Sequence, residues 1–251
     1  MLIVSYIRIY CTQSRSDIMG NNTEKPVYTV GIAGSSCSGK TSYSKEIERV
    51  FGDRAPEGKR IAIIGQDSFY VGPVDGEDPQ TKNYDVLDAI EWPLLVNTVK
   101  DLLDRKPVEV PVYDFKTHTR LPHKVKIDPV DVVIIEGILI FNCKELLPLL
   151  DLKIFVNASP DLCLARRITR DIKERGRDVN GTIMQYLAHV KPSNDNLVIP
   201  SQRFADIVVN NDNSIISPQE FIKGNISPVF GNKFPPAFEL VMDSILLKVR
   251  Q

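Results

Sequence analysis

At 251 residues the chain can form one α/β domain with appendages, and two small domains are an alternative. Its net charge of −1 argues against general binding to nucleic acid, and no apolar run approaches the length of a membrane span. Four widely spaced cysteines without a C-x-x-C pair predict reduced cytosolic thiols, not a disulfide framework or a zinc site.

Residues 1–25 are predicted to be a disordered leader in front of the domain. Residues 1–10 are apolar and residues 12–17 are polar. A secretory signal is disfavoured, because neither a basic segment nor a small-residue cleavage site accompanies the apolar stretch. A transit peptide is an alternative that is supported only by Arg8 and Arg15.

Residues 34–41 read GSSCSGKT, the pattern of a phosphate-binding loop. Its glycines let backbone N–H groups point at an anion, Lys40 adds positive charge, and the Thr41 hydroxyl can ligate Mg²⁺. A β-branched strand precedes the loop and an amphipathic helix follows it, with Gly52 as the predicted C-cap. This context favours a phosphate site over a chance Gly/Ser-rich turn. The loop residues expected to bind the nucleotide are Gly34, Ser35, Ser36, Cys37, Ser38, Gly39, Lys40, Thr41 and Ser42.

Further strands are predicted at residues 60–65, 131–137, 152–156 and 207–209. Because helices alternate with these strands, the pattern predicts a parallel sheet that is covered on both faces. Asp67 follows one strand and Glu136 ends another, and ligands bind beyond the carboxyl ends of such strands. Asp67 is therefore a candidate base or metal ligand, with a turn or cap residue as the alternative.

Two segments interrupt this alternation. Two runs of alternating polarity flank a polar turn and predict a β-hairpin over about residues 107–128. Residues 160–192 include six basic side chains between positions 166 and 177, which predicts an Arg-rich helical lid near the phosphates, with a solvated charged helix as the alternative. The kinase-like domain would then span residues 26–216, and residues 217–251 would form an extension that ends in a helix.

Over about residues 28–212 the chain resembles the uridine–cytidine kinase family of P-loop nucleoside kinases. The resemblance rests on PVYDFKTHTR at 111–120, DVVIIEGIL at 131–139, RRITRDIKERGRD at 166–178 and QDSFY at 66–70. It implies a three-layer parallel-sheet P-loop kinase fold with a β-hairpin excursion and an Arg-rich helical lid. It also implies ATP-dependent phosphorylation of the 5′-hydroxyl of uridine and cytidine to UMP and CMP.

The resemblance also implies residue roles. Asp67 would be the general base, Lys40 would assist catalysis, and Thr41, Asp67 and Glu136 would surround Mg²⁺. The residues expected to bind the nucleoside are Asp85, Tyr113, Phe115, His118, Arg167, Arg177 and Gln185, with Asp85 and Arg177 on the ribose hydroxyls. The further residues expected to bind ATP are the lid arginines Arg167, Arg170 and Arg175, and Asp212 near the adenine.

The resemblance further implies a homotetramer in the cytoplasm, with the nucleus as an additional location, and inhibition by CTP. The chain departs from the family at residues 83–89, where NYDVLDA replaces NFDHPDA but keeps Asp85. It also has Cys37 where small, unreactive residues are common.

Three alternative functions remain. A kinase for pantothenate or nicotinamide riboside is disfavoured by Tyr113 and His118 in the hairpin. A non-catalytic nucleotide-binding protein is disfavoured by the presence of Lys40, Asp67 and Glu136. A GTPase-type switch is disfavoured because the chain has no N-K-x-D signature.

Overall fold

The computed structural model describes residues 9–10, 26–73, 78, 82–212 and 236–250. Most of the predicted leader lies outside the described residues, and so do residues 213–235, which hold the end of the predicted domain and the start of the predicted extension. The domain boundaries at residues 25 and 216 therefore stay predictions.

Eight strands occur in the described residues, and six of them form the central sheet. In chain order they are β1 (Ile9–Tyr10), β2 (Tyr28–Gly34), β3 (Ile61–Gly65), β4 (Val108–Asp114), β5 (Thr119–Ile127), β6 (Val132–Glu136), β7 (Leu152–Asn157) and β8 (Ile207–Asn210). The order in the sheet is β1-β3-β6-β2-β7-β8, and all neighbours run parallel except β1, which pairs antiparallel with β3. The predicted parallel sheet is confirmed.

The inner strands β2, β3 and β6 are apolar and almost completely buried, as strands covered on both faces should be. Their register places Glu136 opposite Ile32 on one side and Gly65 on the other. The carboxyl ends of these strands therefore meet at one edge of the sheet, directly beside the loops that follow Gly34 and Gly65.

Helices cover both faces of the sheet. They are α1 (Lys40–Arg54), α2 (Trp92–Leu103), α3 (Pro160–Arg175), α4 (Val179–Gln185), the short α5 (Lys191–Ser193) and α6 (Ile199–Ser201), and the C-terminal helix (Pro236–Arg250). The C-terminal helix packs on α1, where the rings of Tyr43 and Phe238 meet edge to face at 5.5 Å. On the opposite face, Leu95 and Val99 of α2 belong to the core cluster that also contains Ile64. The predicted three-layer arrangement is confirmed.

The prediction that α1 ends at Gly52 is wrong. The helix continues to Arg54, and the N–H of Ala55 donates to the carbonyl of Phe51 at 2.9 Å. An exposed glycine lowers helix stability without ending a helix when the residues after it keep their hydrogen bonds.

The hairpin forms a second, two-stranded sheet, and its Val110 and Ile127 belong to the same core cluster as Ile64. Strands β4 and β5 pair antiparallel from Val108 and Ile127 to Asp114 and Thr119, and their register shifts after Pro111. Helix α3 is followed by Gly176 (φ 69°), where the chain turns toward α4. None of the helices in the described part of the chain combines the length and the apolar character that a membrane crossing needs.

Candidate active site

The loop between β2 and α1 is shaped by close packing against β7. Gly34 has φ 148°, and a Cβ atom there would lie 2.2 Å from the carbonyl oxygen of Val156. The loop closes through a bond from the Ser38 N–H to the Ser35 carbonyl, which also accepts from Lys40 Nζ, both at 3.0 Å. Lys40 is thus held across the loop before any phosphate binds.

Two buried residues that sequence reasoning missed hold the loop from behind. The Asn211 amide donates to the Ser38 carbonyl at 2.7 Å, and Arg166 donates to the carbonyls of Cys37 and Asn211. In the sequence Arg166 is one member of the basic run, and no motif includes Asn211, so neither residue could be predicted to bond the loop. These bonds fix the shape of the loop in advance, which reduces the ordering cost of binding an anion.

The predicted acidic residues meet beyond the ends of β3 and β6. The Thr41 hydroxyl donates to Glu136 Oε1 at 2.7 Å, and Asp67 lies in the 3₁₀ turn Gln66–Phe69 that follows β3. Burial raises the pKa of Glu136; Lys40 opposes this shift and the nearby Asp67 adds to it. Two carboxylates and a hydroxyl beside a phosphate loop suit Mg²⁺, which proteins usually bind through one or two carboxylates together with substrate phosphates.

The buried Gln66 ties these two strand ends together. Its Oε1 accepts from the Leu139 N–H at 2.8 Å, and a Cβ atom on Gly137 would lie 2.4 Å from the Gln66 side chain. Arg120 of the hairpin donates to the Phe69 carbonyl at 2.9 Å. The turn that carries Asp67 is therefore fixed from both sides, a contribution that the sequence did not reveal.

Aromatic rings from the hairpin and from the β3–α2 connection form a second wall. Tyr84 stacks on His118 with ring centroids 4.9 Å apart, and Tyr113 meets Phe115 at 5.3 Å and Tyr70 at 5.4 Å. Tyr113 and Phe115 were predicted from the hairpin, whereas Tyr70 and Tyr84 were not predicted as site residues. These rings offer the flat apolar surface that a planar heterocycle requires.

His118 is buried and adopts a left-handed backbone conformation with φ 56°. Burial, reinforced by Arg177 and Arg175, lowers the pKa of His118 to about 4, so the ring is neutral at pH 7. Arg177 approaches its Nε2 at 3.5 Å, and within the described part of the chain Nδ1 has no hydrogen-bond partner. Because a guanidinium can only donate, this contact favours the tautomer with the proton on the buried Nδ1.

Four arginines of the lid surround one side of the cavity. Arg167 reaches Ser36 Oγ at 3.1 Å and Gln185 Oε1 at 2.9 Å, and Arg177 also donates to Gln185 Oε1. Arg175 lies over the Phe115 ring, 4.0 Å from its centroid. The lid therefore contacts both the phosphate loop and the aromatic wall.

One cavity brings most of the predicted residues together. Those that line it are Ser36, Cys37, Gly39, Lys40, Thr41, Ser42, Asp67, Asp85, Tyr113, Phe115, His118, Glu136, Arg167, Arg170, Arg175, Arg177 and Gln185. Five of these side chains are cationic and three are carboxylates, so the lining is net cationic and favours a polyanion. Gly34, Ser35, Ser38 and Asp212 do not line it. Asp212 instead accepts from the N–H and hydroxyl of Ser159 at the start of α3, at 2.6 and 2.7 Å.

Comparisons with known proteins match this arrangement. Residues 29–214 match the model of the phosphoribulokinase/uridine kinase family. The chain is 42% identical to uridine-cytidine kinase B of Dictyostelium discoideum over 194 residues, covering 75% of this chain and 77% of that protein. It is also 42% identical to a uridine kinase of Lactobacillus helveticus over 193 residues, covering 76% and 89%. The structure of a phosphoribulokinase from Rhodobacter spheroides superposes with a TM-score of 0.54 at 19% identity, covering 74% of this chain and 71% of that one, which supports the fold.

Proposed function

The chain belongs to the phosphoribulokinase/uridine kinase family, and from this premise we propose that it transfers a phosphoryl group from ATP to the 5′-hydroxyl of uridine and cytidine. The observation that carries the proposal is a single cavity in which the phosphate loop faces an aromatic pocket across two carboxylates. Phosphoryl transfer needs charge neutralisation, positioning and a proton acceptor, and this cavity offers candidates for each.

In this proposal Asp67 accepts the proton of the 5′-hydroxyl as that oxygen attacks the terminal phosphorus of ATP, whose bond to the bridging oxygen breaks so that ADP leaves. Thr41, Asp67 and Glu136 would hold Mg²⁺, which neutralises charge on the phosphates when bound. Lys40 and the arginines Arg167, Arg170 and Arg175 contact the phosphate oxygens and stabilise the charge that moves during transfer.

The nucleoside would lie on the opposite side of Asp67. The base would lie in the pocket that Tyr113, Phe115 and His118 line. Asp85 and Arg177 bind the ribose hydroxyls, and Gln185 orients Arg177 and Arg167. Burial raises the pKa of Asp85, while the lid arginines keep the carboxylate favourable as an acceptor.

A coupled ADP-release assay with the full chain tests the proposal. Uridine and cytidine should support turnover, whereas pantothenate and nicotinamide riboside should not. Turnover of either of the last two at a rate above that of uridine would contradict the nucleoside assignment. ADP release that no acceptor stimulates would contradict the kinase assignment itself.

We also infer from the family that the enzyme is a homotetramer in the cytoplasm, with the nucleus as an additional location, and that it binds a nucleoside and neither nucleic acid nor a membrane. Sedimentation at equilibrium measures the mass in solution, and a monomer at all concentrations would contradict the tetramer.

A further inference from the structure

Asp171 on α3 is completely buried and contacts four guanidinium groups. Its Oδ1 accepts from Nε and NH2 of Arg170 at 2.9 and 2.8 Å, and its Oδ2 accepts from NH1 of Arg177 at 3.1 Å. Arg167 Nε lies 3.5 Å from Oδ2 and Arg175 Nε lies 3.6 Å from Oδ1. One carboxylate therefore serves as the shared anion of four cations.

Those four arginines all line the cavity, whereas Asp171 lies behind them and does not. Burial opposes the ionisation of Asp171, but Arg170, Arg175, Arg167 and Arg177 lower its pKa to about 2, so it is charged at pH 7. The cluster of Asp171 and its four arginines therefore keeps a net charge of +3, and the uncompensated charge faces the cavity.

Repulsion between the guanidinium groups opposes such a cluster. Like charges a few Å apart repel strongly where solvent is scarce, and the side chains of Arg167, Arg175 and Arg177 are only 6, 16 and 18% exposed. Without an anion among them, the four guanidiniums would separate or lose their shared orientation. A carboxylate has about four lone-pair directions, enough to accept the bonds from Arg170 and Arg177 while Arg167 and Arg175 lie at ion-pair distance.

We propose that Asp171 is a positioning residue that stands in for a phosphate group: it holds the four arginines together while the nucleotide site is empty and orients their remaining N–H groups toward it. Each guanidinium has five N–H donors, so it can bind a phosphate oxygen while it keeps or exchanges its bond to Asp171. The effect that we expect on the rate of phosphoryl transfer rests on the proposed function. The effect that we expect on the binding of a polyphosphate does not.

The two consequences have opposite signs. Removing the charge of Asp171 makes the cavity more cationic, so a bare polyphosphate should bind more tightly. The same change leaves the arginines without a fixed orientation, so the rate of phosphoryl transfer should fall. A residue that only stabilised the fold would weaken binding and turnover together.

The test compares Asp171→Asn with Glu174→Gln, which removes the same charge from an exposed position on the same helix. Calorimetry with inorganic triphosphate at low salt should show binding about fivefold tighter in Asp171→Asn than in Glu174→Gln. In the coupled assay kcat should fall about 10²-fold in Asp171→Asn only, because small misplacements of catalytic groups cost that much. Asp171→Glu keeps the charge and should recover part of kcat.

Equal or weaker triphosphate binding by Asp171→Asn would overturn the inference, and so would a wild-type kcat. If no variant phosphorylates uridine and the wild type does not either, the proposed function fails, while the order of triphosphate affinities still tests Asp171. If Asp171→Asn does not fold, the Nε–Hε resonance of Arg170 in the wild-type protein decides. It should shift when triphosphate is added, because Arg170 lines the cavity and its Nε–H bonds Asp171, and an unchanged resonance would overturn the inference.

Discussion

Asp67 lies on a turn that two other elements hold in place. Gln66 bonds the chain after β6 and Arg120 bonds the carbonyl of Phe69, so the carboxylate has a defined position beside Glu136. A proton acceptor works only from such a position, and general-base catalysis typically contributes 10²- to 10⁴-fold to a rate. The first prediction therefore concerns this side chain.

Asp67→Asn should lower kcat about 10²-fold or more while nucleotide binding survives, because the amide keeps the shape but cannot accept the proton. Asp88→Asn is the matched control, since Asp88 is an exposed acid outside the lining of the cavity. Turnover is measured by ADP release and binding by calorimetry. Near-normal turnover in Asp67→Asn would show that another group is the base.

His118 yields a prediction about pH. Its pKa is lowered from 6.5 to about 4 in the folded protein, so between these values the unfolded chain binds a proton that the folded chain does not. The free energy of unfolding contributed by His118 should therefore decrease as the pH falls from about 6.5 toward 4. Above pH 6.5 both states are neutral and the contribution should be constant.

Measurement of Tm against pH in the wild type and in His118→Asn isolates this effect. Asparagine tolerates the left-handed backbone at this position, so the substitution should not add strain. Below pH 6.5 the Tm of the wild type should fall relative to the Tm of His118→Asn. His123→Asn, on an exposed part of β5, is the control and should leave the wild-type curve unchanged. Parallel curves for wild type and His118→Asn would contradict the lowered pKa.

At the scale of an element, helix α1 offers a paired test at two glycines. Gly52 lies within the helix and Gly58 lies in the turn after it with φ 81°, and a Cβ atom at either position would meet no other atom within 4 Å. Gly52→Ala should raise the free energy of unfolding by about 0.5–1 kcal/mol, because alanine has the higher helix propensity. Gly58→Ala should lower it by about 1 kcal/mol, because the left-handed conformation is strained for alanine. Denaturant unfolding of both variants measures the difference, and equal changes would show that backbone conformation does not decide it.

Sequence patterns predicted which segments form helices and strands better than they predicted where a helix ends or which side chains meet in the folded chain. The apolar runs of β3 and β6 and the alternation of β4 and β5 identify these strands, because burial on one or two faces dictates those patterns. Gly52 misled the prediction of the end of α1, because tertiary packing overrides a single residue's propensity.

The same limit applies to the site. Residues that carry a recognisable motif, such as Lys40 and Asp67, could be singled out from the sequence, and both line the cavity. Asn211, Gln66 and Asp171 could not, because their roles depend on partners that only the folded chain brings near. A buried carboxylate inside a basic run looks in the sequence like partial neutralisation of charge. Its contacts show that it organises the arginines around it.

At the scale of the whole molecule, three separate parts of the chain build the side of the cavity that we propose for the nucleoside. Tyr113 and His118 come from the hairpin, Asp85 comes from the connection between β3 and α2, and Arg177 follows the first lid helix. Each part is remote from the others in sequence. We propose that Asp85 and Arg177, which belong to two of these parts, together bind the ribose hydroxyls. The preference of the enzyme for ribose over deoxyribose therefore tests whether the parts assemble into one site.

Uridine and cytidine should both be phosphorylated, since the Tyr113 hydroxyl can donate or accept at the position where the two bases differ. Deoxyuridine and thymidine should be poor substrates, because a missing 2′-hydroxyl leaves polar groups of the pocket unpaired. A site built to bind a hydroxyl can disfavour a substrate that lacks it by roughly 10⁴-fold in kcat/KM. We expect a factor of about 10² here, because Asp85 is only half-buried and keeps its bond to the 3′-hydroxyl.

The measurement is kcat/KM for uridine and deoxyuridine in the wild type, Asp85→Ala and the exposed control Asp88→Ala. Asp85→Ala should lose activity mainly on uridine and so narrow the gap between the two sugars, whereas Asp88→Ala should keep it. Equal use of both sugars by the wild-type enzyme would refute the ribose assignment, whatever the variants do.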